Sequence, residues 1–231
     1  MEVNFAILVN TTDSFEACWQ PFFRLFKFYW PDYKGKIYLN TEKKNYSHKG
    51  LDIRPVKNGR DQVPDEWSNC LNDALDFIEE DYILYFQDDY FICDYVRCDL
   101  VDYFTGIVQE DDVTYINLYP FSRYGYKERV YNDHLWEADK TVKNSFNLQV
   151  SLWDKKVMKS MLKFLTDRTP WNSEAYVATR MVKNCPGRFL FLNPQRYSLK
   201  NMPIPYVIGI VRGKWSKRKL NKLFKKHGMM L

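Results

Sequence analysis

No stretch of this sequence keeps apolar residues together for the roughly 18 positions that a membrane-crossing helix needs, so no spanning segment is expected. The first ten residues, MEVNFAILVN, carry an acid at position 2 and too short an apolar run for a secretory signal. Cysteines number 5, an odd count with no C-x-x-C pair, which argues against a zinc site or a disulfide framework. Reduced and mostly buried thiols in a cytoplasmic compartment are expected instead. The three histidines, His48, His134 and His227, are far apart and show no ligand spacing; His227 reads as a solvated tail residue. There is no internal repeat and no low-complexity linker. The turn after the first apolar run, Asn10 to Asp13, has no glycine, so it lacks the Gly-rich phosphate loop that a nucleotidyltransferase would want.

What the sequence does have is aromatic and apolar substance. The 231 residues are 45% hydrophobic and 17% aromatic, enough for one large α/β domain with a sizeable core. Rings in such number also line surfaces and clefts, since Tyr and Trp carry polar groups that seek partners. The net charge of +5 hides an asymmetry. Residues 212 to 231 hold eight cations and no acid; with those set aside, 26 basic residues face 29 acidic ones, and the body carries −3. A mildly acidic body with a basic tail does not suggest a nucleic-acid binder. The organisation expected is a domain over 1–215 and a basic tail over 216–231.

Apolar runs alternate with helical patterns, the signature of βαβ units and a mostly parallel sheet flanked by helices. Strands are expected over Val3–Val9, Lys36–Leu39, Leu51–Val56, Tyr82–Phe86, Val113–Leu118 and Phe146–Trp153. A helix from Phe15 to Trp30 is expected, with Asp13 and Glu16 spaced as a capping box and with Pro21 kinking it or starting a second segment. After Pro64-Asp65, the residues Trp67, Leu71, Ala74, Leu75 and Ile78 mark one apolar helix face. Further helices are expected over Leu100–Val108, Lys155–Leu165 and the end of Trp171–Val182. The stretch 120–145 has no clear period and reads as a loop region over a site.

Two adjacent carboxylates, Asp88 and Asp89, end the apolar run Tyr82–Phe86. Ligands of open α/β sheets bind outside the carboxyl ends of strands. Clustered carboxylates there repel one another unless a cation neutralises them, and their oxygens suit Mg2+ or Mn2+. Two solvated acids in a turn are the plainer alternative. The segment WSNCLNDALDFIEEDYILYFQDDYFI, from Trp67 to Ile92, resembles the helix, strand and D-x-D turn of GT-A type glycosyltransferases. PFFRLFKFYWPDYKGKIYLNTE, NLQVSLWDKK and PWNSEAYVAT are similar to further pieces of that family, in order, particularly in small bacterial enzymes of surface-polysaccharide synthesis.

The resemblance implies a single GT-A-like (Rossmann-like) domain and places Gln87, Asp88 and Asp89 in the D-x-D slots. Asp89 becomes the metal ligand, for Mn2+ or Mg2+, and Asp88 lies near the donor ribose or sugar. The first acid of the motif is Gln87 here, which weakens the expectation of a metal. Thr11, Thr12 and Asp13 take the place of the loop that receives base and ribose, although a simple helix cap explains Asp13 as well. Asn40, closing the second strand, joins this set. Arg60 is either a diphosphate contact or a surface arginine. Glu174, in Pro170-Trp171-Asn172-Ser173-Glu174, sits where the family has its general base, and Trp171 offers a platform for a sugar face; supporting a helix start is its alternative role. Gln149 is a candidate contact to the acceptor or donor sugar, whereas Trp153 reads as core.

Arg212 and Lys214 are expected to fold back over the donor diphosphate. Beyond them Leu220, Leu223 and Phe224 make one apolar side among lysines, as in interfacial helices, which offers peripheral contact at the inner face of a membrane; a solvated tail is the alternative. The function implied is transfer, with inversion, of a sugar from a nucleoside diphosphate donor to a glycan or lipid-linked acceptor. A nucleotidyltransferase acting on a sugar phosphate and a non-catalytic carbohydrate- or membrane-binding module stand as the other readings.

Overall fold

A computed structural model describes residues 5–59, 67–109, 112–120, 129–140, 147–163 and 184–230. Its first strands are β1 (Ala6–Asn10), β2 (Lys36–Asn40), β3 (Asp52–Pro55), β4 (Tyr82–Gln87) and β5 (Tyr90–Ile92). There follow β6 (Val113–Asn117), β7 (Arg129–Val130), β8 (Leu135–Glu137) and β9 (Ser151–Asp154). The last are β10 (Arg188–Leu192), β11 (Tyr206–Ile208), β12 (Ile210–Val211) and β13 (Lys214–Trp215). The helices are α1 (Glu16–Tyr29), α2 (Trp67–Asp76), α3 (Cys98–Val108), α4 (Lys155–Leu162) and α5 (Lys217–Lys226).

Nine strands form one sheet in the order β3-β2-β1-β4-β9-β6-β10-β8-β7. The first four are parallel, β9 runs against both of its neighbours, and β10 is parallel to β6. With β8 against β10 and β7 against β8, seven of the nine strands point one way. This is the mixed α/β architecture with a mostly parallel sheet flanked by helices that the sequence implied.

Both faces of the sheet are covered, which is why its strands read as near-continuous apolar runs. On β1, Ile7 and Val9 join one core with Trp19, Phe22 and Phe26 of α1, Phe104 of α3 and Phe224 of α5. Ala6 and Leu8 point the other way, into a core with Leu71 and Leu75 of α2 and with Met158 and Met161 of α4. The period-two alternation of a strand thus feeds two cores. The face expected on α2 is realised by Trp67, Leu71, Ala74 and Leu75, all buried; Ile78 is buried too but lies two residues past the helix end.

Several expectations are corrected. α1 continues through Pro21 as one helix, so no second segment starts there. The capping box is absent: a 3-10 turn over Asp13–Phe15 precedes α1, and neither has a side-chain cap bond. Of the described residues 147–153 of the run Phe146–Trp153, only 151–153 are strand, the start of β9, and residues 148–150 form a bend ahead of it. In the stretch read as a loop, β7 and β8 extend the sheet, with Leu190↔Glu137 and Leu192↔Leu135 as partners across β10 and β8. The Pro64-Asp65 start and the segment Trp171–Val182 lie outside the described residues. The thiols are all free, but only Cys18 and Cys70 are buried while Cys98 is exposed.

The tail differs most. Leu220, Leu223 and Phe224 are buried, and Phe224 meets Phe91 edge-on at 5.3 Å between centroids and Trp215 at 6.3 Å. The apolar side expected to face a membrane is therefore occupied by the protein's own core. His227 is half-buried rather than solvated, its Nε2 2.8 Å from the Tyr29 hydroxyl. No helix among the described residues is long and apolar enough to cross a membrane.

Burial of α5 has a measurable consequence. Phe224→Ala should lower the unfolding free energy by about 3–5 kcal/mol, as for other buried Phe truncations. Urea denaturation checks this; a loss near zero would mean the helix does not belong to the core.

Candidate functional site

The chain steps from β1 outwards to β2 and β3, then returns to place β4 on the other side of β1. The carboxyl ends of β1 and β4 therefore flank the point where the strand order reverses, the place where open α/β sheets bind ligands. Asp88, one residue past β4, lies there. Its backbone N–H donates to the Asn10 carbonyl at 3.3 Å, continuing the β1–β4 pairing. Its carboxylate accepts the Thr11 hydroxyl at 2.5 Å, and the Thr11 oxygen accepts from Trp19 Nε1 at 2.7 Å. A buried tryptophan of α1 thus fixes the threonine that holds the acid.

A row of amides crosses the same edge. Asn40 Nδ2 donates to Asn10 Oδ1 at 2.8 Å, and Asn58 Nδ2 donates to Asn40 Oδ1 at 3.1 Å. Three residues from the ends of β1 and β2 and from the loop after β3 are bonded in series, with Asn40 wholly buried. Asp13 stitches two loops together. Its carboxylate accepts the backbone N–H groups of Glu42 at 3.1 Å, Lys43 at 3.0 Å and Lys44 at 3.1 Å, while its own N–H donates to the Glu42 carboxylate. Asp13 therefore organises the loop after β2 rather than capping α1. Glu42 is buried, and that burial raises its pKa. Thr12, half-buried beside Asp13, shares a short hydroxyl contact with Ser14.

Asp89 anchors the other wall. Its carboxylate accepts the Ile210 N–H at 3.0 Å, and its carbonyl accepts the Gly209 N–H at 2.7 Å. Gly209 tolerates no side chain, because a Cβ would lie 2.1 Å from the Phe91 ring. From Ile210 the strands β12 and β13 form a hairpin with Ile210↔Trp215 and Val211↔Lys214 as partners. Its two turn residues, Arg212 and Gly213, both have positive φ, 52° and 71°, as a type I′ turn requires. Arg212 and Lys214 are exposed at this tip, on a hairpin whose base is tied to Asp89.

Gln87 Nε2 donates to the Leu148 carbonyl at 3.3 Å, and Tyr90 donates its hydroxyl to the same oxygen at 3.2 Å. Gln149 is held by two tyrosines: its Nε2 donates to the Tyr90 hydroxyl at 3.1 Å and its Oε1 accepts from Tyr206 at 2.7 Å. The two rings stack at 4.9 Å. Gln149 thus braces β5 and β11 behind the acid pair. Trp153 is core, as expected. Arg60, Trp171 and Glu174 lie outside the described residues. Sequence reasoning missed Asn10, Glu42, Asn58, Tyr90 and Tyr206; the one legible signal was an asparagine closing each of the first two strands. A separate cavity of about 460 Å3 lies between α1 and the C-terminal segment, lined by Gln20, Arg24, Trp215 and Met229 among others, and contains none of the expected site residues.

Asp88 and Asp89 are both buried, 7% and 8% exposed. Burial pushes the Asp88 carboxyl up to about 8, with the neighbouring Asp89 charge adding to it against the Thr11 hydrogen bond. Burial likewise raises Asp89 to about 6. Neither acid makes an ion pair among the described residues. A buried carboxylate with no counter-charge is costly, and it favours either a proton or a cation. No cluster of three or more His, Cys, Asp or Glu among the described residues is placed to hold a metal. The two carboxylates are hard oxygen donors of the kind Mg2+ takes from one or two side chains, with other oxygen ligands completing its shell.

No family model and no curated protein matches the sequence. Among solved structures the chain is similar to S. aureus TarS 1–349, with 9% identity, TM-score 0.49, and coverage of 81% of this chain and 57% of that one. It is also similar to S. aureus TarS at 11% identity and TM-score 0.46, over 82% of this chain and 35% of that one. The chain thus spans little more than half of the shorter of these and about a third of the longer.

The raised carboxyls fix the sign of a pH dependence. A carboxyl whose pKa is higher in the folded state stabilises fully below its unfolded value of 3.8 and loses that contribution as pH rises through about 6 for Asp89 and about 8 for Asp88. Metal-free protein should therefore lose thermal stability as pH rises across this window, and Asp88→Asn should flatten the upper part of the loss. A wild-type profile that rises with pH over this range, unchanged in the variant, would contradict the burial of an uncompensated pair.

Proposed function

We propose that the chain is a nucleotide-sugar-dependent glycosyltransferase that inverts configuration at the anomeric carbon. The observation that carries this reading is the buried acid pair at the switch point of the sheet, beside a row of amides that crosses the ends of β1 and β2 and the loop after β3. Amide and hydroxyl groups at strand ends suit a nucleobase edge and ribose oxygens. The acids lie one strand over, where a diphosphate would need a divalent cation beside them.

In this reading Asn40, with the loop Thr11–Asp13, would border the nucleoside; Asp88 would face the ribose or sugar; and Asp89 would hold Mn2+ or Mg2+. An ion held there would supply positive charge beside the diphosphate leaving group. Arg212 and Lys214 sit on the hairpin tied to Asp89, and in this reading their cationic side chains would fold over the donor diphosphate. Glu174 takes the proton of the acceptor hydroxyl as its oxygen bonds to the anomeric carbon, and the bond from that carbon to the diphosphate oxygen breaks, releasing nucleoside diphosphate. The acceptor is a glycan or a lipid-linked glycan, and Trp171 supplies an apolar face for it. A nucleotidyltransferase is disfavoured because the loop after β1 has no glycine and is tied down by the Asp13 bonds to Glu42, Lys43 and Lys44.

Thermal-shift titration with UDP-, GDP-, TDP- and CMP-sugars, with and without Mn2+, tests the reading. At least one should raise the melting temperature, more strongly with Mn2+, and Asp89→Asn should weaken that donor's binding. Glu174→Gln should cut transfer by roughly a hundred- to ten-thousand-fold while leaving donor affinity intact. No stabilisation by any nucleotide sugar would favour a non-catalytic module, and wild-type turnover in Glu174→Gln would remove that residue from its role.

A further inference from the structure

The apolar side of α5 is buried, and its opposite side is a dense array of cations. Lys217, Arg218, Lys219, Lys222, Lys225 and Lys226 are exposed, and no acid lies on the helix. At 3.6 residues per turn, Arg218, Lys222 and Lys225 fall on the line opposite the buried Leu220, Leu223 and Phe224. None of Lys217, Arg218, Lys219, Lys222 and Lys225 makes an ion pair among the described residues.

The helix connects two features. At its start, Ser216 N–H donates to the Gly209 carbonyl at 2.7 Å, and Gly209 in turn donates to Asp89, so the basic face begins beside the acid pair. At its end it meets a patch of exposed rings. His227 contacts Phe28 at 4.6 Å, Phe28 stacks on Tyr95 at 6.1 Å, and Lys226 lies over the Tyr29 ring at 5.4 Å. Phe28 is 47% exposed and Tyr95 60%, two large rings side by side in water. Asp94 is an acid at the border of this patch and acts on Lys226.

We infer that the outer face of α5, together with Phe28 and Tyr95, docks the protein on an anionic lipid bilayer. Clustered lysines are attracted to the negative surface of such a bilayer, and aromatic rings settle at the level of the lipid headgroups. A single-stranded nucleic acid would also meet cations and rings, but the rings lie beyond one end of the helix instead of alternating with the cations as stacking steps for successive bases. Docking in this way sets the edge that holds Asp89 close to the lipid surface. The inference stands apart from sugar transfer, because it rests on surface residues that take no part in the acid site.

Sedimentation of the full chain with vesicles tests it. Binding is expected to vesicles containing phosphatidylglycerol, to fall with added salt, and to be absent with phosphatidylcholine alone. Replacing Arg218, Lys222 and Lys225 together by Gln should weaken binding by roughly fivefold for each cation removed, about a hundredfold in all. Phe28→Ser with Tyr95→Ser should weaken it separately, with circular dichroism confirming that both variants fold. No binding to anionic vesicles, equal binding to neutral ones, or an unaffected charge variant would overturn the inference. So would capture of a single-stranded oligonucleotide through the same lysines in a protein that ignores vesicles.

Discussion

Everything about the proposed site depends on burying two adjacent carboxylates where β1 and β4 end side by side. That arrangement is unfavourable unless something compensates it, since removing an ionised acid from water costs far more than one hydrogen bond returns. The Thr11 hydroxyl and the Ile210 N–H each satisfy one acid. Neither supplies a charge. The remaining deficit is one that a proton or a divalent cation would relieve.

The surroundings of the pair are built to keep it in place. Trp19 of α1 fixes Thr11, while Gly209 admits the hairpin close against Phe91 only because it has no side chain. Behind the pair the stacked tyrosines 90 and 206 clamp the Gln149 amide, joining the strand after the acids to the segment before β9. The C-terminal helix then packs Phe224 on the same Phe91, so the tail stabilises the wall that carries Asp89. One set of contacts thus makes core, hairpin and acid pair a mechanical unit, and leaves the helix's charged side facing outwards.

Much of this architecture was legible in the sequence, for reasons that differ from element to element. The buried strands and the face of α2 announced themselves because burial on both sides leaves continuous apolar runs and burial on one side leaves a 3.6-residue period. The position of the acid pair at the end of β4 was legible because the apolar run stops directly before it; its burial was not, since two acids in a turn are ordinarily solvated. Asp13 misled, since a capping box and a loop-to-loop staple need the same carboxylate and differ only in which N–H groups arrive from residues thirty positions away. The bracing of Gln149 and the inward packing of the tail's apolar side left no sign in the sequence either. An amide on a strand-like run gives no sign that two tyrosines, one nearly sixty residues before it and the other as far after, will hold both its ends, and an amphipathic helix looks the same whether its apolar side meets lipid or a neighbouring phenylalanine. The short edge strands β7 and β8 left no period to read at all.

The most direct test of the site is a crystal structure with UDP and Mn2+ bound. The uridine should lie between the ends of β1, β2 and β3 beside Asn40, with the ion on Asp89 touching the diphosphate and Glu174 across the same cleft. A nucleotide bound elsewhere, or Asp89 and Glu174 on opposite sides of the molecule with no space joining them, would contradict the proposed site.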